Sequence, residues 1–378
     1  MDAVRVLLVG IGGYGTTYVD EMLKNGAANG AVLAGAVDPK PELSERIAAL
    51  REAGVPLFSS LDDFYRADRA DLVVISAPIH LHAPQTINAL AHGSNVLCEK
   101  PLCARLEEAD RMAEAERKAG KFVAIGYQWS FSSPDQAIKR DILSGRLGRP
   151  LRLKSITLWP RRLSYYARNN WAGRIRTDRG DWVMDSPVNN ATAHYLHNML
   201  YLLGPTREQS VAPEAIEAWT GRANKTENYD VAAMRLTMPA GVEVLMLTAH
   251  AVADSVGPLC CFEFENGTVT FENDQKFHLR RRGGGEENYG CPHPEEAQKL
   301  WQSIAAVRTG ERPACGIEAA RCHTAVVNRL QELPIHDFPA DKIAVQEVDG
   351  DRQVWVRGLG ESFERAYADW RMPASPSR

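Results

Sequence analysis

The 378-residue sequence has no apolar run approaching the ~20 residues that a spanning helix requires. It also has no excess of positive charge. Lys and Arg number 44 against 48 Asp and Glu, a net charge of −4, which excludes a nucleic-acid binder of the basic-face kind. There is no Cys-x-x-Cys, and the seven cysteines are scattered, so free thiols in a reducing compartment are expected. Cys291-Pro292-His293 and Cys322-His323 fit no zinc spacing, and no metal is expected. Met1-Asp2-Ala3-Val4-Arg5 lacks the basic start and apolar stretch of an export signal. The expectation is therefore a cytoplasmic protein without membrane or nucleic-acid partners. Apolar residues make up 44% and charged residues 24%, an ordinary globular balance that argues against extended disorder. The length implies two domains.

Short, unalternated apolar runs recur in the first third: Val4–Val9, 33–37, Leu72–Ile75, 96–98 and 122–125. Helical patterns lie between them at 42–53, 83–92 and Leu106–Ala119. This alternation predicts a doubly wound parallel sheet buried on both faces, with ligands beyond the carboxyl ends of the strands. The first run ends in Gly10-Ile11-Gly12-Gly13-Tyr14-Gly15, a Gly-x-Gly-x-x-Gly that opens a helix. Gly10 permits the tight turn, Gly12 lets a pyrophosphate approach the backbone, and Gly15 lets helix and strand pack closely. Asp38 ends the second run, 23 residues after Gly15. An acid there accepts from an adenosine ribose and repels a 2′-phosphate, so NAD is expected, with NADP the alternative through the nearby Lys40.

Two further strand ends carry polar groups. One is Ser76-Ala77-Pro78-Ile79-His80-Leu81-His82, and the other is Glu99-Lys100-Pro101. A lysine at such a place can orient a substrate hydroxyl and share its developing charge. His80 and His92 read as ordinary helix residues.

After Gly126 the pattern changes. A helix at 135–144 is followed by strand-like runs at 151–154, 215–219, 231–238, 242–248, 260–265 and 268–272. Asn266-Gly267 and Asp349-Gly350 are hairpin signals, the second between runs at 343–348 and 353–356. Helices are expected at 294–307, Ile317–Leu330 and 362–370, a mobile loop at 283–287 and a loose tail at 372–378. Consecutive strands without helices predict a second, α+β domain with a large, mostly antiparallel open sheet.

The glycine motif, Glu99-Lys100-Pro101 and the sheet-rich second part together resemble the glucose–fructose oxidoreductase/inositol dehydrogenase (Gfo/Idh/MocA) family over residues 1 to about 330. The resemblance implies an NAD(P)-dependent dehydrogenase acting on a secondary hydroxyl of a sugar, polyol or glycoside. Lys100 then lies beside substrate and nicotinamide, and Pro78 and His82 match family positions after the third strand. Ser76, Glu99 and Gln128 complete the candidate cofactor set of Gly10, Ile11, Gly12, Gly13, Tyr14, Gly15, Asp38, Pro78, His82 and Lys100.

Aligning on Leu202-Leu203-Gly204 puts the family histidine at His194, and the family aspartate four residues earlier falls on Asn190. Either the acid is replaced by an amide, or Asp185 supplies it from a displaced position. A histidine can accept the hydroxyl proton, whereas a neutral amide cannot. His197 reads as structural. Lys100, His194 and Asn190 are thus the catalytic candidates. Tyr166, Arg168, Trp171, Arg174, Asp185, Asn190, His194 and Lys100 are the substrate candidates, because aromatic faces and guanidinium donors suit sugars. Arginines 161, 162, 168, 174 and 176 also suit an anionic substituent.

The expected boundaries are 1–127 for the nucleotide, 128–333 for substrate and assembly, and 334–378 for an appendix that the resemblance does not explain. A homo-oligomer through the C-terminal sheet is expected. Two alternatives to the dehydrogenase are an NAD-dependent glycosidase working by transient oxidation and elimination, and a non-catalytic NAD-binding sensor.

Overall fold

The structure is a computed structural model that describes residues 2–376, so the end of the expected tail, residues 377–378, lies outside the described residues. The chain divides into two compact units, 1–132 with 294–321, and 133–293 with 322–378.

The first unit holds six parallel strands: β1 Val4–Val9, β2 Ala31–Val37, β3 Leu57–Phe58, β4 Leu72–Ile75, β5 Asn95–Cys98 and β6 Val123–Ile125. Their order is β3-β2-β1-β4-β5-β6. β4, β5 and β6 are buried along their whole length, which explains their unalternated apolar sequences. The order reverses between β1 and β4, so the glycine loop and the Ser76 segment leave the sheet side by side. The two-residue β3 and the helix Leu61–Ala67 were not evident from periodicity, being too short to carry it.

The expected boundary at 127 needs correction, because residues 294–321 fold with the first unit. Ile125 donates its amide to the Cys315 carbonyl at 2.8 Å, and Ala124 bridges Gly316, so the returning chain closes the β6 edge. The helix Gln298–Thr309 buries Lys299, Leu300, Ser303 and Ile304. The unit boundary falls inside the helix Ile317–Leu330.

The second unit carries nine strands in the order β14-β13-β12-β11-β7-β10-β9-β8-β15. They are β7 Pro150–Leu158, β8 Ala215–Arg222, β9 Val231–Thr237, β10 Glu243–Ala249, β11 Val256–Phe264, β12 Gly267–Phe271, β13 Phe277–Arg281, β14 Glu286–Gly290 and β15 Ile335–Asp337. Only β7–β10 and β8–β15 pair in parallel; the sheet is mixed and largely antiparallel. The expected loop at 283–287 is in part the β13–β14 hairpin turn, with Glu286 and Glu287 already in β14. The β11–β12 turn is Glu265-Asn266, one residue earlier than the Asn-Gly signal places it, with Phe264 opposite Gly267.

The C-terminal appendix belongs to this unit. Its hairpin, β16 Ile343–Val348 and β17 Asp351–Val356, turns through Asp349 and Gly350, both at positive φ. The helix Leu359–Ala368 then lays Leu359, Phe363 and Ala366 onto Ile156, Leu158, Trp219, Leu245 and Leu247. Lys154 on the same face donates to the Tyr367 carbonyl at 2.5 Å, and Trp219 to that of Pro373 at 3.0 Å.

Phe363 is fully buried. Phe363→Ala is expected to lower unfolding stability by about 3–5 kcal/mol, measured by urea denaturation.

Candidate active site

Gly10 has φ 80°, and a Cβ there would stand 2.3 Å from the Ser76 carbonyl oxygen. The two loops at the switch point therefore touch backbone to backbone. Gly15 is equally tight, 2.1 Å from the Gly10 carbonyl, whereas Gly12 has nothing within 4 Å. That bare face fits the approach of a pyrophosphate, with the helix Gly15–Asn25 directed at it. A cavity of about 590 Å³ adjoins the loop, lined among others by Gly12, Asp38, Ser60, Ser76, Pro78 and Gln85. Asp38 is fixed at its lip, accepting the Ile11 amide at 3.2 Å and the Lys40 amide at 2.9 Å. Asp62 lines it too, so a 2′-phosphate would meet two carboxylates. Oε1 of Gln85 is buried without a hydrogen-bond partner, a polar atom consistent with a missing ligand.

Behind this cradle lies a buried ionic network. Glu99 is 7% exposed, and its Oε1 accepts from Lys299 Nζ at 2.5 Å and Tyr18 Oη at 2.6 Å. Its Oε2 accepts the Lys100 amide at 3.1 Å. Lys299 also donates to Tyr14 Oη at 2.8 Å, and Tyr14 bonds Glu296. Burial pushes the Glu99 carboxyl upward, but Lys299, Tyr18 and Lys100 outweigh it and hold it below the ordinary carboxylate range. A Cβ on Gly126 would lie 2.8 Å from Oε1, so glycine leaves the room this carboxylate occupies. The Lys100–Pro101 peptide is cis. His82 is buried with Nδ1 2.7 Å from the Pro101 carbonyl and Nε2 2.9 Å from that of Ala77. It ties the two strand ends together. Glu99 likewise anchors the Lys100 turn rather than lining the cavity.

In the second unit Asp185 is 2% exposed. Its Oδ2 accepts the Gly173 amide at 2.6 Å, and its Oδ1 accepts Asn190 Nδ2 at 2.7 Å. Asp185 and Asn190, the two residues weighed for the family acid's role, are thus hydrogen-bonded to each other. Met184, at φ 47°, turns the chain just before it. The helix begins at Ala193, so Asn190 lies in the turn that leads into it and His194 in its first turn. Arg168 stacks 3.7 Å above the Tyr165 ring, 5.4 Å from Trp171, with Nη2 4.0 Å from Asp185. Tyr166 meets Tyr165 edge to face at 5.2 Å. Arg174 stands apart, paired with Asp178 at 2.6 Å. His197 is buried against Tyr201, with its pKa driven far down by burial, and is structural.

The network's Lys299 and Tyr18 were not foreseen. Their positions carry no motif, and Lys299 joins the site only through the returning helix. Gln128 opens the short helix Gln128–Phe131 at the end of β6. Among the described residues no helix is long and apolar enough to cross a membrane, and no group of His, Cys, Asp and Glu could hold a metal ion.

Residues 4–127 match the model of an oxidoreductase family described by its NAD-binding Rossmann fold, GFO_IDH_MocA. Over these residues the chain is similar to the NAD-binding domain of the Gfo/Idh/MocA oxidoreductase family. The inositol 2-dehydrogenase of Corynebacterium glutamicum is 30% identical over 156 residues, 41% of this chain and 45% of that protein. Inositol 2-dehydrogenase 4 of Saccharopolyspora erythraea is 35% identical over 149 residues, 39% of this chain and 43% of that one. The matched stretch thus spans less than half the length of these curated relatives. The WlbA dehydrogenase of Bordetella pertussis, solved with NADH and UDP-GlcNAcA, shares the fold at a TM-score of 0.71 and 23% identity, over 87% of this chain and 96% of that one. That likeness concerns the fold, which both units share with the solved structure.

Lys299→Met leaves Glu99 buried and unpaired. It is expected to cost about 3–5 kcal/mol of stability in denaturant titration, and Glu99→Gln added to it should recover most of the loss. For Asp38→Ala, the ratio of NADH to NADPH affinity is expected to fall at least about tenfold, some 1.4 kcal/mol, in fluorescence titrations.

Proposed function

We propose that the chain is a cytoplasmic NAD-dependent oxidoreductase acting on a secondary hydroxyl of a sugar or polyol, with Lys100 and His194 handling the hydroxyl proton. The observation that carries this reading is the Lys100 turn, fixed by Glu99 and His82 at the end of β5 in the same unit as the dinucleotide cradle. The names of the relatives, inositol 2-dehydrogenases, support the substrate class. The loop from Gly10 to Gly15 holds the pyrophosphate, and Asp38 accepts from the ribose. Bound nicotinamide supplies a hydride acceptor.

The protein's own part is proton and charge handling. The Lys100 ammonium orients the hydroxyl and shares the negative charge that grows on its oxygen. His194 takes the proton. Asn190 cannot be a base, and its Nδ2 donates to Asp185. Asp185 thereby orients the residue that stands in its place.

The test is a panel of sugars, polyols and glycosides with NAD and NADP, following NADH and released aglycone together. Net NADH supports the dehydrogenase. Aglycone release without net NADH would replace it with the glycosidase, and cofactor binding without turnover on any substrate would replace it with the sensor. Lys100→Ala and His194→Ala are each expected to lower kcat by about 10²–10⁴-fold with NADH affinity unchanged. Wild-type turnover in both variants would overturn the assignment.

A further inference from the structure

Where β7 and β10 end side by side, the second unit gathers polar groups that its internal contacts do not satisfy. Arg161 follows β7, and His250 follows β10. The Arg161 amide donates to the His250 carbonyl at 3.2 Å, so the register of the sheet holds the two residues together. The Arg161 guanidinium lies 4.8 Å from the Tyr165 ring and 5.7 Å from the Trp159 ring. Among the described residues it pairs with no carboxylate, and its Nε is buried without a partner. Its neighbours differ: Arg162 pairs with Asp349 and Arg174 with Asp178. Arg168, on the other side of Tyr165, has 30% of its side chain exposed and forms the solvent edge of the cluster.

Two more groups complete it. Tyr166 Oη is buried and unpartnered. His250 is 2% exposed, 5.7 Å from Tyr165, with Nδ1 2.9 Å from the Trp159 carbonyl. Facing a carbonyl, Nδ1 carries the proton of the neutral ring, so Nε2 presents a lone pair. Nε2 too is buried and has no partner. Asp185 approaches Arg168 only at 4.0 Å, and the nearby carboxylates take closer donors. Asp185 accepts from Gly173 and Asn190, and Asp230 from Ala223 and Asn224.

We infer that Arg161, Arg168 and Tyr166 form a subsite for one carboxylate of the substrate, with His250 Nε2 accepting from a hydroxyl beside it. The substrate class is then a sugar acid. Guanidinium and phenol donors match a planar monoanion, and one arginine without a counter-ion matches one negative charge. A bare imidazole nitrogen cannot receive the carboxylate itself, but it suits the hydroxyl on the adjacent carbon. The Arg168–Asp185–Asn190 contacts link this subsite to the turn that leads into the His194 helix.

The inference rests on the proposed activity, but its test needs no turnover. Protein saturated with NADH is titrated calorimetrically with D-glucuronate, D-galacturonate and D-gluconate, each against its neutral counterpart, D-glucose, D-galactose and D-glucitol. At least one acid is expected to bind tenfold or more tighter than its neutral partner. Arg161→Gln should erase that preference while NADH affinity stays constant, and Arg161→Lys should retain part of it. If Arg161→Gln does not fold, Arg161→Lys decides the question, with a weakened preference supporting the inference and an undiminished one overturning it. A preference undiminished in Arg161→Gln, equal binding of acids and neutral sugars, or no binding of any acid overturns the inference. So does inorganic phosphate that competes as strongly as the acid, which would make the cluster a general anion patch. Failure of NADH to bind would instead count against the proposed function.

Discussion

One buried ion pair organises the first unit. Lys299 and Glu99 meet at 2.5 Å with almost no exposure. Such pairs seldom add stability over an apolar pair of the same size, because removing two charges from water costs about what their attraction returns. Geometry is what this pair contributes. The carboxylate that binds Lys299 also binds the Lys100 amide and Tyr18, and the same ammonium binds Tyr14 of the glycine loop. Three chain segments separated by 85 and 200 positions (Tyr14, Glu99, Lys299) are thereby fixed by one charge pair. The phosphate loop and the proposed reactive lysine cannot shift independently while it holds. The gap at Gly126 shows that the backbone is shaped to the same carboxylate.

The second unit reaches a comparable result by different means. Asp185 precedes Asn190 by five residues, and the chain delivers it through a left-handed residue, Met184, to the amide donors of Gly173 and Asn190. Those two donors, with Arg168 Nη2 at 4.0 Å, fix where the Asp185 carboxylate stands.

What the sequence makes legible follows from the range of the interactions involved. Local signals, such as the glycine turn, unbroken apolar strands and the Asp-Gly hairpin, are encoded in a few adjacent residues and appear where periodicity puts them. The helices Leu106–Ala119 and Ile317–Leu330 match residue for residue. Elements too short to show a period, β3 and β15, do not announce themselves. Domain membership of 294–321 is still less visible, because it is decided by contacts with Glu99, Ile125 and Phe131 far back in the chain. The site divides in the same way. Lys100 and Asp38 stand in motifs, whereas Lys299 is one lysine among several until the helix carrying it is placed.

Charge shows the limit of composition more sharply. A net −4 describes the whole chain, but function responds to charge at a point. Around Tyr165 the arginines lie on aromatic faces, and Arg168 approaches a carboxylate, that of Asp185, only at 4.0 Å. A ring fixes a guanidinium's position by its quadrupole, at about 0.5–2 kcal/mol, and leaves the cation's charge uncancelled. A carboxylate would fix it too, but would cancel the charge. Arg162 and Arg174, bound to acids, are surface ion pairs of small consequence. Arg161, stacked and without a counter-ion, keeps its full charge available to whatever binds at the end of β7. Identical residue types within a fourteen-residue stretch, 161 to 174, therefore differ in local charge according to whether a ring or an acid holds them.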